Sequence, residues 1–321
     1  MARPDWDPQY LPDLHERRFL ITGSNAGLGY FSAEQLAAAG ATVIMTGRNP
    51  NRLAAARAAV NRRIPDAAAD GRVQTLLLDT SNFGSVRAAA ATVRTMGGLD
   101  GLLLNAGIVH PPKQRETTAD GHEIVFATNA LGHYALAGEL LTTLAAASGR
   151  IVWLGSMSTS LSPYDPIDPQ LMDNYSGWRA YVQSKIATSV LGFEADRRLR
   201  AAGVPVSSVV VHPGYATSGR TAGIVGVNEP TKLTRFADNL QALIAQSKEH
   251  GAWPLVRALA DPAIEGGAFI GPRFVARGTP KVAKPSKIVR SEEIATRLWR
   301  VCEDATGVRW PFAAAAAAAR R

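Results

Sequence analysis

Cysteine is almost absent from this sequence, since Cys302 is the only one among 321 residues. A single cysteine excludes an intramolecular disulfide and a cysteine-rich metal cluster, and it suits a reducing compartment. Long apolar runs are also lacking, because no stretch is as long as the roughly 18 apolar residues that a membrane-spanning helix needs. Prolines and acids in residues 1–18 stand where a signal peptide has its apolar core. We therefore expect a cytoplasmic chain that has no transmembrane segment and needs no metal.

Acidic residues are outnumbered, because 35 Lys and Arg against 27 Asp and Glu give a formal net charge of +8. A basic chain raises the hypothesis of binding to nucleic acid or to an anionic membrane. The basic residues are spread through many segments and no motif combines them with aromatics, so we expect no nucleic-acid partner. Their densest excess lies in residues 271–290. There we favour a solvated basic face and keep contact with an anionic surface as the alternative.

What the sequence does contain is a regular alternation of short apolar runs and helix-length segments. The runs are rich in Val, Ile and Leu, which is typical of strands buried on both faces of a parallel sheet. The candidate strands are residues 18–22, 41–46, 72–79, 99–105, 149–155, 204–212 and 266–272. The alternation predicts an α/β fold, with a doubly wound parallel sheet of about seven strands that is flanked by helices on both faces.

The chain shows no internal repeat and no convincing linker, which predicts one domain over residues 1–321. Ser291 is suited to begin a final helix and Gly307 to end it. The alanine-rich end is predicted to fray. The expected parts are a core at 16–214, a substrate-covering segment at 215–265, a C-terminal strand and helix at 266–310 and a frayed tail at 311–321.

The first predicted strand leads directly into "TGSNAGLGY". Glycines in a turn before a helix let the chain bend sharply and let its backbone approach a ligand. The helix N-terminus that follows favours an anion such as a pyrophosphate. The spacing differs from the commonest dinucleotide fingerprint, and such glycines can also be purely structural. The cofactor-binding candidates in this turn are Gly23, Ser24, Asn25, Gly27, Leu28 and Gly29.

Further candidates follow the other predicted strands, whose carboxyl ends bind ligands in open α/β sheets. An acid after the second strand would suit NAD(H), but "MTGRN" offers Arg48 instead. Arg48 suits the 2′-phosphate of NADP(H), with Arg52 as a weaker candidate, and the alternative is a surface arginine at a helix start. The remaining candidates are Asp79 and Thr80 at the adenine edge, and Asn105, Ala106 and Gly107 beside the same crevice.

Tyr181 and Lys185 lie four residues apart in "YVQSK", at the start of an amphipathic helical pattern. That spacing places both on one helix face. A nearby positive charge favours the phenolate, so the pair could form an acid/base that works closer to neutrality. An isolated pair is more often solvated surface, so the interpretation depends on its context.

In context, the motifs resemble the short-chain dehydrogenase/reductase family. The resemblance rests on "TGSNAGLG", "NAG", Asn129 in "ATNALGH", Ser156 in "WLGSMS", "YVQSK" and "HPG" at 212–214, in the family's order. Two longer phrases, "PDLHERRFLITGSNAGLG" and "TADGHEIVFATNALGHYAL", resemble the retinol-dehydrogenase and protochlorophyllide-reductase-like branch. The resemblance implies a Rossmann fold and a nicotinamide cofactor.

The resemblance also implies a catalytic tetrad of Asn129, Ser156, Tyr181 and Lys185. Tyr181 would exchange a proton with the reacting oxygen. Lys185 would hold the nicotinamide ribose and lower the Tyr181 pKa. Ser156 would hydrogen-bond the reacting oxygen, with Ser158 and Ser160 as less favoured alternatives. Asn129 would hold a water that joins Lys185 to solvent.

Past the sixth strand, Pro213 and Gly214 would turn the chain beside the nicotinamide. Thr217 or Ser218 would then bind its carboxamide, and the sequence does not choose between them. The histidines at 110, 122 and 133 are interpreted as structural.

Two segments are expected to cover the site: the insert within residues 157–178 and the segment from Tyr215 to about Ala260. Apolar residues of the second segment would either line a pocket for a bulky lipophilic molecule or pack the cover onto the body. These residues are Ile224, Val225, Leu233, Phe236, Leu243 and Trp253.

The leading hypothesis is an NADP(H)-dependent oxidoreductase that interconverts a carbonyl and an alcohol on a small molecule. The alternative is a dinucleotide-binding sensor or regulator that uses the fold without catalysis. The sequence leaves open the substrate, the direction of the reaction and whether the chain forms a homo-oligomer.

Overall fold

The computed structural model describes residues 6–8, 10–160 and 164–319, with only the backbone described at Ser160. The strands are β1 Arg18–Ile21, β2 Thr42–Gly47, β3 Val73–Leu77, β4 Gly101–Leu104, β5 Arg150–Leu154, β6 Ser207–Val211, β7 Ala216–Thr217, β8 Gln246–Ser247, β9 Phe269–Pro272 and β10 Pro280–Val282. The helices are α1 Gly27–Ala38, α2 Pro50–Arg63, α3 Pro65–Ala69, α4 Phe83–Arg94, α5 Ile124–Phe126, α6 Gly132–Glu139, α7 Leu141–Ala146, α8 Gly177–Ala201, α9 Lys232–Leu240, α10 Lys248–Ala260, α11 Glu292–Thr306 and α12 Phe312–Ala318. A π-helical turn, Ala127–Leu131, joins α5 to α6, and 3₁₀ turns lie at Met157–Ser160 and Lys287–Arg290.

Eight strands form one sheet in the order β10-β9-β6-β5-β4-β1-β2-β3. All its neighbouring strands are parallel except β9 and β10, which are antiparallel. The doubly wound α/β fold is therefore confirmed, and the chain order reverses between β1 and β4. The expected strand number is corrected by one, because β10 adds a short edge strand that contains a proline. A separate pair, β7 and β8, lies in the covering segment.

The central strands are buried on both faces, since side chains of successive residues point in opposite directions and both sets lie among apolar neighbours. In β1, Phe19 and Ile21 pack into one apolar cluster, which includes residues of α1, α2 and α10. Leu20 between them packs into the other cluster, which includes residues of α4, α6 and α8. Helices thus cover both faces, and the carboxyl ends of the strands remain as the open edge.

The C-terminal region matches its prediction in one part and corrects it in another. The Ser291 side chain accepts a hydrogen bond from the N–H of Ile294 at the start of α11, and Gly307 ends that helix with a φ of 67°. Residues predicted to fray instead form α12, in which Ala315 is buried. The tail is held because Trp310 and Phe312 pack against Trp299.

The covering segment also differs from expectation. Ile224 is buried in the core and Trp253 packs against it, so these two fasten the cover to the body. The other apolar residues named for this segment neither pack on the body nor line a pocket, because their side chains are exposed: Val225, Leu233, Phe236 and Leu243. Within the described ranges, none of the helices combines the length and apolarity that crossing a membrane requires.

Candidate active site

Thr22 joins the ends of β1 and β4 at the point where the strand order reverses. Its Oγ1 accepts hydrogen bonds from the backbone N–H groups of Asn105 at 2.8 Å and Ala106 at 2.9 Å. Its own N–H donates to Leu103 O at 2.9 Å. Asn105 closes the junction from the other side, because its Nδ2 donates to the carbonyls of Thr22 and Gly23. The two strand ends are therefore fixed to each other.

The glycine turn uses its glycines for conformation and for space. Gly23 and Gly27 have φ angles of 64° and 62°, in the left-handed region that favours glycine. A Cβ on Gly29 would lie 2.5 Å from Asn105 Nδ2 and 2.6 Å from Gly23 O, so a side chain there would have to displace its neighbours. A Cβ on Gly27 would meet nothing nearer than Lys248 Cδ at 4.0 Å. The turn is thus tightly packed on one side and open on the other.

The open side of the turn fits an anionic group such as the pyrophosphate of a dinucleotide. In the described structure α1 begins at Gly27 without a side-chain cap, so its first N–H groups are free to bind a ligand at the open side of the turn. Asn25 and Leu28 are half-buried at this edge. Ser24 is different, because it is fully buried and its hydroxyl bonds to the backbone of Ile21 and Thr46. The predicted contact of Ser24 with a cofactor is therefore not supported, since Ser24 holds the turn to β2 instead.

Arg48 directly follows β2 and is exposed to solvent at the carboxyl edge of the sheet. Asp79 is half-buried and Thr80 is buried just after β3. The structure therefore places all three on the edge predicted for the adenosine half of a dinucleotide.

Tyr181 and Ser156 are brought together by α8 and the end of β5. The Tyr181 hydroxyl donates to Ser156 Oγ at 3.4 Å. Ser156 Oγ also accepts from the N–H of Ser158 at 3.2 Å and from its hydroxyl at 2.9 Å. Of the two alternative serines, Ser158 thus orients Ser156, and the side chain of Ser160 lies outside the described residues.

Lys185 is buried one turn after Tyr181 on α8, and its ammonium donates to Leu154 O at 2.8 Å. Burial lowers the pKa of Lys185 to about 8. Burial raises the pKa of Tyr181, and its hydrogen bond to Ser156 offsets part of that rise. The predicted lowering of the Tyr181 pKa by Lys185 is therefore wrong for this structure. Desolvation of the phenol is the larger of the two influences, so it sets the direction of the pKa shift.

Asn129 lies in the π-helical turn and ties α8 to the loop after β4. Its Nδ2 donates to Ser184 Oγ at 2.9 Å and to Ile108 O at 3.2 Å, and its Oδ1 accepts from the Ile108 N–H at 2.8 Å. Ser184 in turn donates to the Tyr181 carbonyl at 2.7 Å. A Cβ on Gly107 would lie only 3.0 Å from Asn129 Oδ1, so the small residue lets the loop approach. Asn129 therefore positions the helix that carries Tyr181.

His133 belongs to this network, although it was predicted only as a structural residue. Its Nδ1 lies 3.1 Å from Asn129 O and its Nε2 lies 3.0 Å from Thr22 Oγ1. Burial and the charge of Lys185 lower the pKa of His133 to about 3, so the ring is neutral. A carbonyl can only accept, so Nδ1 carries the proton and Nε2 accepts from Thr22. The spacing of four residues from Asn129 was the signal that could have revealed this link.

The turn after β6 lies beside the covering segment. Gly214 has a φ of 69°, and a Cβ there would collide with the Ala276 carbonyl. Pro213 precedes it and is half-buried. Thr217 is buried, and its Oγ1 has no hydrogen-bond partner among the described residues. Ser218 is half-buried, so the two carboxamide candidates differ in burial.

The described part of the insert after β5, residues 157–160 and 164–178, contacts α8 near Tyr181. The N–H of Asp165 donates to Gln183 Oε1 at 3.0 Å, which ties the insert to α8. Trp178 is 56% exposed, and its ring centre lies 6.3 Å from that of Tyr181. An exposed aromatic ring therefore stands next to the phenol.

Comparison with known proteins agrees with this geometry. The chain matches the family model described as short chain dehydrogenase over residues 17–225. Polyprenol dehydrogenase from Mus musculus is 33% identical over 305 residues, covering 92% of this chain and 86% of that protein. Retinol dehydrogenase 13 from Homo sapiens is 31% identical over 302 residues, covering 91% and 85%. A crystal structure of an uncharacterized protein from Mycobacterium paratuberculosis matches with a TM-score of 0.74 at 32% identity, covering 95% of this chain and 99% of that one.

These matches confirm the resemblance that the motifs indicated, including its retinol-dehydrogenase-like branch. They also account for the open side of the glycine turn, because this family binds a nicotinamide dinucleotide. The chain belongs to the short-chain dehydrogenase/reductase family, and it is an oxidoreductase with a Rossmann fold.

Proposed function

We propose that this protein is an NADP(H)-dependent oxidoreductase that interconverts a carbonyl and an alcohol on a bulky lipophilic small molecule. The observation that carries the proposal is the meeting of Tyr181 and Ser156, whose hydroxyl oxygens lie 3.4 Å apart. Two hydroxyl groups at this distance can both contact one substrate oxygen placed between them.

In the proposed reaction Tyr181 donates its proton to the carbonyl oxygen during reduction and takes one back during oxidation. With its pKa raised, the Tyr181 phenol carries its proton at neutral pH, as a proton donor must. Ser156 donates to the same oxygen as negative charge develops on it. Ser158 holds Ser156 in place by donating to its oxygen. The dinucleotide, when bound, supplies or accepts the hydride.

Lys185 and Asn129 serve the proton supply in this proposal. The Lys185 ammonium keeps one hydrogen bond to Leu154 O, and its other N–H groups would hold the ribose hydroxyls of the cofactor. Asn129 and Ser184 keep the first turns of α8 in register with the loop after β4. A water held near Asn129 would then join Lys185 to solvent and restore the proton on Tyr181.

The preference for NADP(H) rests on Arg48. Its guanidinium is exposed just after β2, where the 2′-phosphate of NADP(H) would need a positive charge and NAD(H) would need an acid. The dissociation constants of NADPH and NADH, measured before and after Arg48→Asp, test this point. We expect the ratio to shift toward NADH by at least about tenfold, the effect of losing one good charge-assisted contact. Tighter binding of NADH by the unmodified protein, with no shift in the variant, would show that Arg48 does not choose the cofactor.

The remaining cofactor contacts are proposed on position. Of the two carboxamide candidates we favour Thr217 over Ser218, because a buried hydroxyl without a partner needs a ligand more than a half-buried one. Pro213 and Gly214 would border the nicotinamide through their backbone. Asp79 and Thr80 would border the adenine.

The lipophilic substrate is proposed from the rim of the site and from the relatives. The exposed apolar side chains on the insert and next to the site are Met157, Ile167, Met172, Trp178 and Tyr215. Two relatives are named for polyprenol and retinol, and both of these alcohols are lipophilic. An apolar rim of this kind favours a substrate that is itself apolar.

The decisive experiment is NADPH consumption over a panel of aromatic, steroid-like, polyketide-like and aliphatic carbonyls, repeated with Tyr181→Phe. Loss of the acid should lower turnover by at least about a hundredfold. Tyr10→Phe, which changes an exposed phenol, serves as the control. Near-normal turnover by Tyr181→Phe would rule out the mechanism. Cofactor binding without turnover of any carbonyl would instead favour a non-catalytic dinucleotide sensor.

A cytoplasmic location and a homo-oligomer both stay predictions for this chain. Cell fractionation measures the first, and light scattering during gel filtration measures the second.

A further inference from the structure

Helix α9 turns its polar side toward the body of the protein. The Asp238 carboxylate accepts from the Gly219 N–H at 2.6 Å. The Arg235 guanidinium lies 3.4 Å from the carbonyls of Gly219 and Thr221 and donates to them. Arg235 and Asp238 thus hold the helix against the body of the protein.

The apolar side of α9 therefore faces solvent. Leu233, Phe236 and Leu240 are 76%, 64% and 73% exposed, and their spacing places them on one face. Leu243 and Ile244, just past the helix, are 83% and 56% exposed. A surface helix normally buries such a stripe against the core. Contiguous apolar residues left in water mark an interaction site.

A second apolar projection lies beside this stripe, at the turn between β9 and β10. Phe274 and Val275 at its tip are 69% and 59% exposed, and Arg273 and Arg277 flank them. Arg277 Nη1 donates to Ala242 O at 3.3 Å, so the turn touches the end of the α9 segment. We call the two together the α9 surface; its apolar members are Leu233, Phe236, Leu240, Leu243, Ile244, Phe274 and Val275.

Exposed cations border the α9 surface. Arg273 and Arg277 flank the apolar tip of the β9–β10 turn, and Lys232 is exposed at the start of α9. A surface that pairs exposed apolar side chains with an excess of Lys and Arg fits the interface of an anionic bilayer. The apolar side chains enter the headgroup region, and the cations meet the lipid phosphates.

We propose that the α9 surface docks the protein on anionic lipid membranes as a peripheral protein. A second copy of the chain is a poorer occupant for this surface. A symmetric dimer would place the same patch on both sides, which brings Lys232, Arg273 and Arg277 of one copy close to those of the other. Like charges brought together in this way oppose association.

The α9 surface also adjoins the proposed active site. The Tyr215 N–H donates to Ala276 O in the β9–β10 turn, and the Tyr215 hydroxyl donates to Gln241 Oε1 at 2.8 Å. Tyr215 directly follows Gly214, which we place beside the nicotinamide. If the proposed lipophilic substrate is correct, the docked protein takes it directly from the bilayer, and that part of the inference rests on the proposed function.

Vesicle binding tests the docking itself. The whole protein is sedimented at low salt with vesicles of phosphatidylcholine alone, or of equal parts phosphatidylcholine and phosphatidylglycerol. We expect binding to the mixed vesicles and at least about tenfold weaker binding to the neutral ones. Each cation that contacts anionic lipid should strengthen binding by about fivefold. The double variant Phe236→Ser/Leu240→Ser should weaken binding to the mixed vesicles by at least about tenfold, because two apolar anchors are lost.

Matched variants separate this surface from general effects. Arg273→Glu/Arg277→Glu should abolish the preference for anionic vesicles, whereas Arg87→Glu on α4 should keep it. Leu77→Ser on β3, at the other edge of the sheet, should bind as the unmodified protein does. Equal binding by Phe236→Ser/Leu240→Ser and the unmodified protein would overturn the proposal. The proposal would also be overturned if the unmodified protein formed a dimer that Phe236→Ser/Leu240→Ser dissociates, and bound no vesicles.

Turnover of a water-soluble carbonyl without vesicles is measured in parallel. Failure of that assay would count against the proposed function alone, since vesicle binding does not depend on it.

Discussion

The carboxyl edge of the sheet and the α9 surface differ in where they place their polar atoms. At the sheet edge Thr22, Asn129 and His133 bond to one another and to backbone inside the protein. On α9, Arg235 and Asp238 point inward and the apolar side chains point to water. The first region is fixed by internal bonds. The second is fastened by a few polar contacts and left apolar outside.

The difference indicates two kinds of work. Catalysis needs atoms held to within fractions of an ångström, and a saturated network of buried hydrogen bonds provides that. Docking on a fluid surface needs apolar area and charge, and it tolerates loose positions. Substitutions in the two regions should therefore affect different measurements.

The largest contrast is expected between two phenylalanines. Phe126→Ala, in the core three residues before Asn129, should lower the free energy of unfolding by about 3–5 kcal/mol. Phe236→Ala, on α9, should change it by no more than about 0.5 kcal/mol. Urea unfolding followed by circular dichroism measures both. A comparable loss in the two variants would mean that α9 is part of the cooperative core.

The next contrast lies within the site, between two serines that touch. Ser156→Ala should lower kcat/KM for carbonyl reduction by about 10²–10³, the cost of losing a donor to the developing negative charge. Ser158→Ala should lower it by about tenfold, because only the orientation of Ser156 is lost. Steady-state kinetics at equal cofactor saturation compares them. Equal losses would show that the two hydroxyl groups share one role.

A smaller effect is expected from the glycine turn. Gly29→Ala should cost about 1–3 kcal/mol of unfolding free energy, because its Cβ overlaps Asn105 and Gly23. Gly98→Ala is the matched control, since its Cβ would meet only Ala147 at 3.4 Å. Chemical unfolding measures both variants. An unchanged Gly29→Ala would mean that the turn adapts to a side chain.

The smallest effect, when it is compared over a single pH unit, is an acid sensitivity that comes from two buried histidines. Burial lowers the pKa of His133 to about 3 and that of His212 to about 4, against an ordinary 6.5. The unfolded chain then binds more protons than the folded one below pH 6.5, so stability falls as the pH falls. For each histidine the full stability is present above pH 6.5. Below that, the free energy of unfolding falls by about 1.4 kcal/mol per pH unit until the folded-state pKa is reached.

This slope is checked with His212→Gln and with His110→Gln, which changes an exposed loop residue. Between pH 6.5 and 4, the free energy of unfolding should depend less on pH in His212→Gln than in the unmodified protein. In His110→Gln it should depend on pH as it does in the unmodified protein. Parallel slopes in all three would place the acid sensitivity elsewhere.

Much of the fold followed from local pattern. The strands carry apolar runs long enough to be recognised, and the ends of α11 are marked by Ser291 and Gly307. β10 was missed because three residues that begin with Pro280 carry no strand pattern. α12 was missed because a run of alanines resembles low complexity, and what holds it is aromatic packing by Trp299 and Trp310, which no local window shows.

For the site, the order of the motifs predicted which side chains to examine, and the structure placed Ser156 beside Tyr181. Spacing could not predict the pKa of Tyr181, because that depends on burial. It could not reveal the link from His133 to Thr22 either, since these residues lie 111 positions apart in the chain. For the covering segment the sequence showed apolar residues such as Leu233 and Phe236 but not which way their side chains face.

The packing of α12 has a consequence for measurement. Trp310 Nε1 donates to the Tyr134 carbonyl at 3.2 Å, and the rings of Trp299 and Tyr134 lie 5.0 Å apart, edge to face. Tyr134 is the neighbour of His133 on α6, the helix that continues from the turn holding Asn129. In a variant that keeps only these two of the six tryptophans, indole emission would therefore be an intrinsic optical reporter for the proposed catalytic network, read in solution without a label.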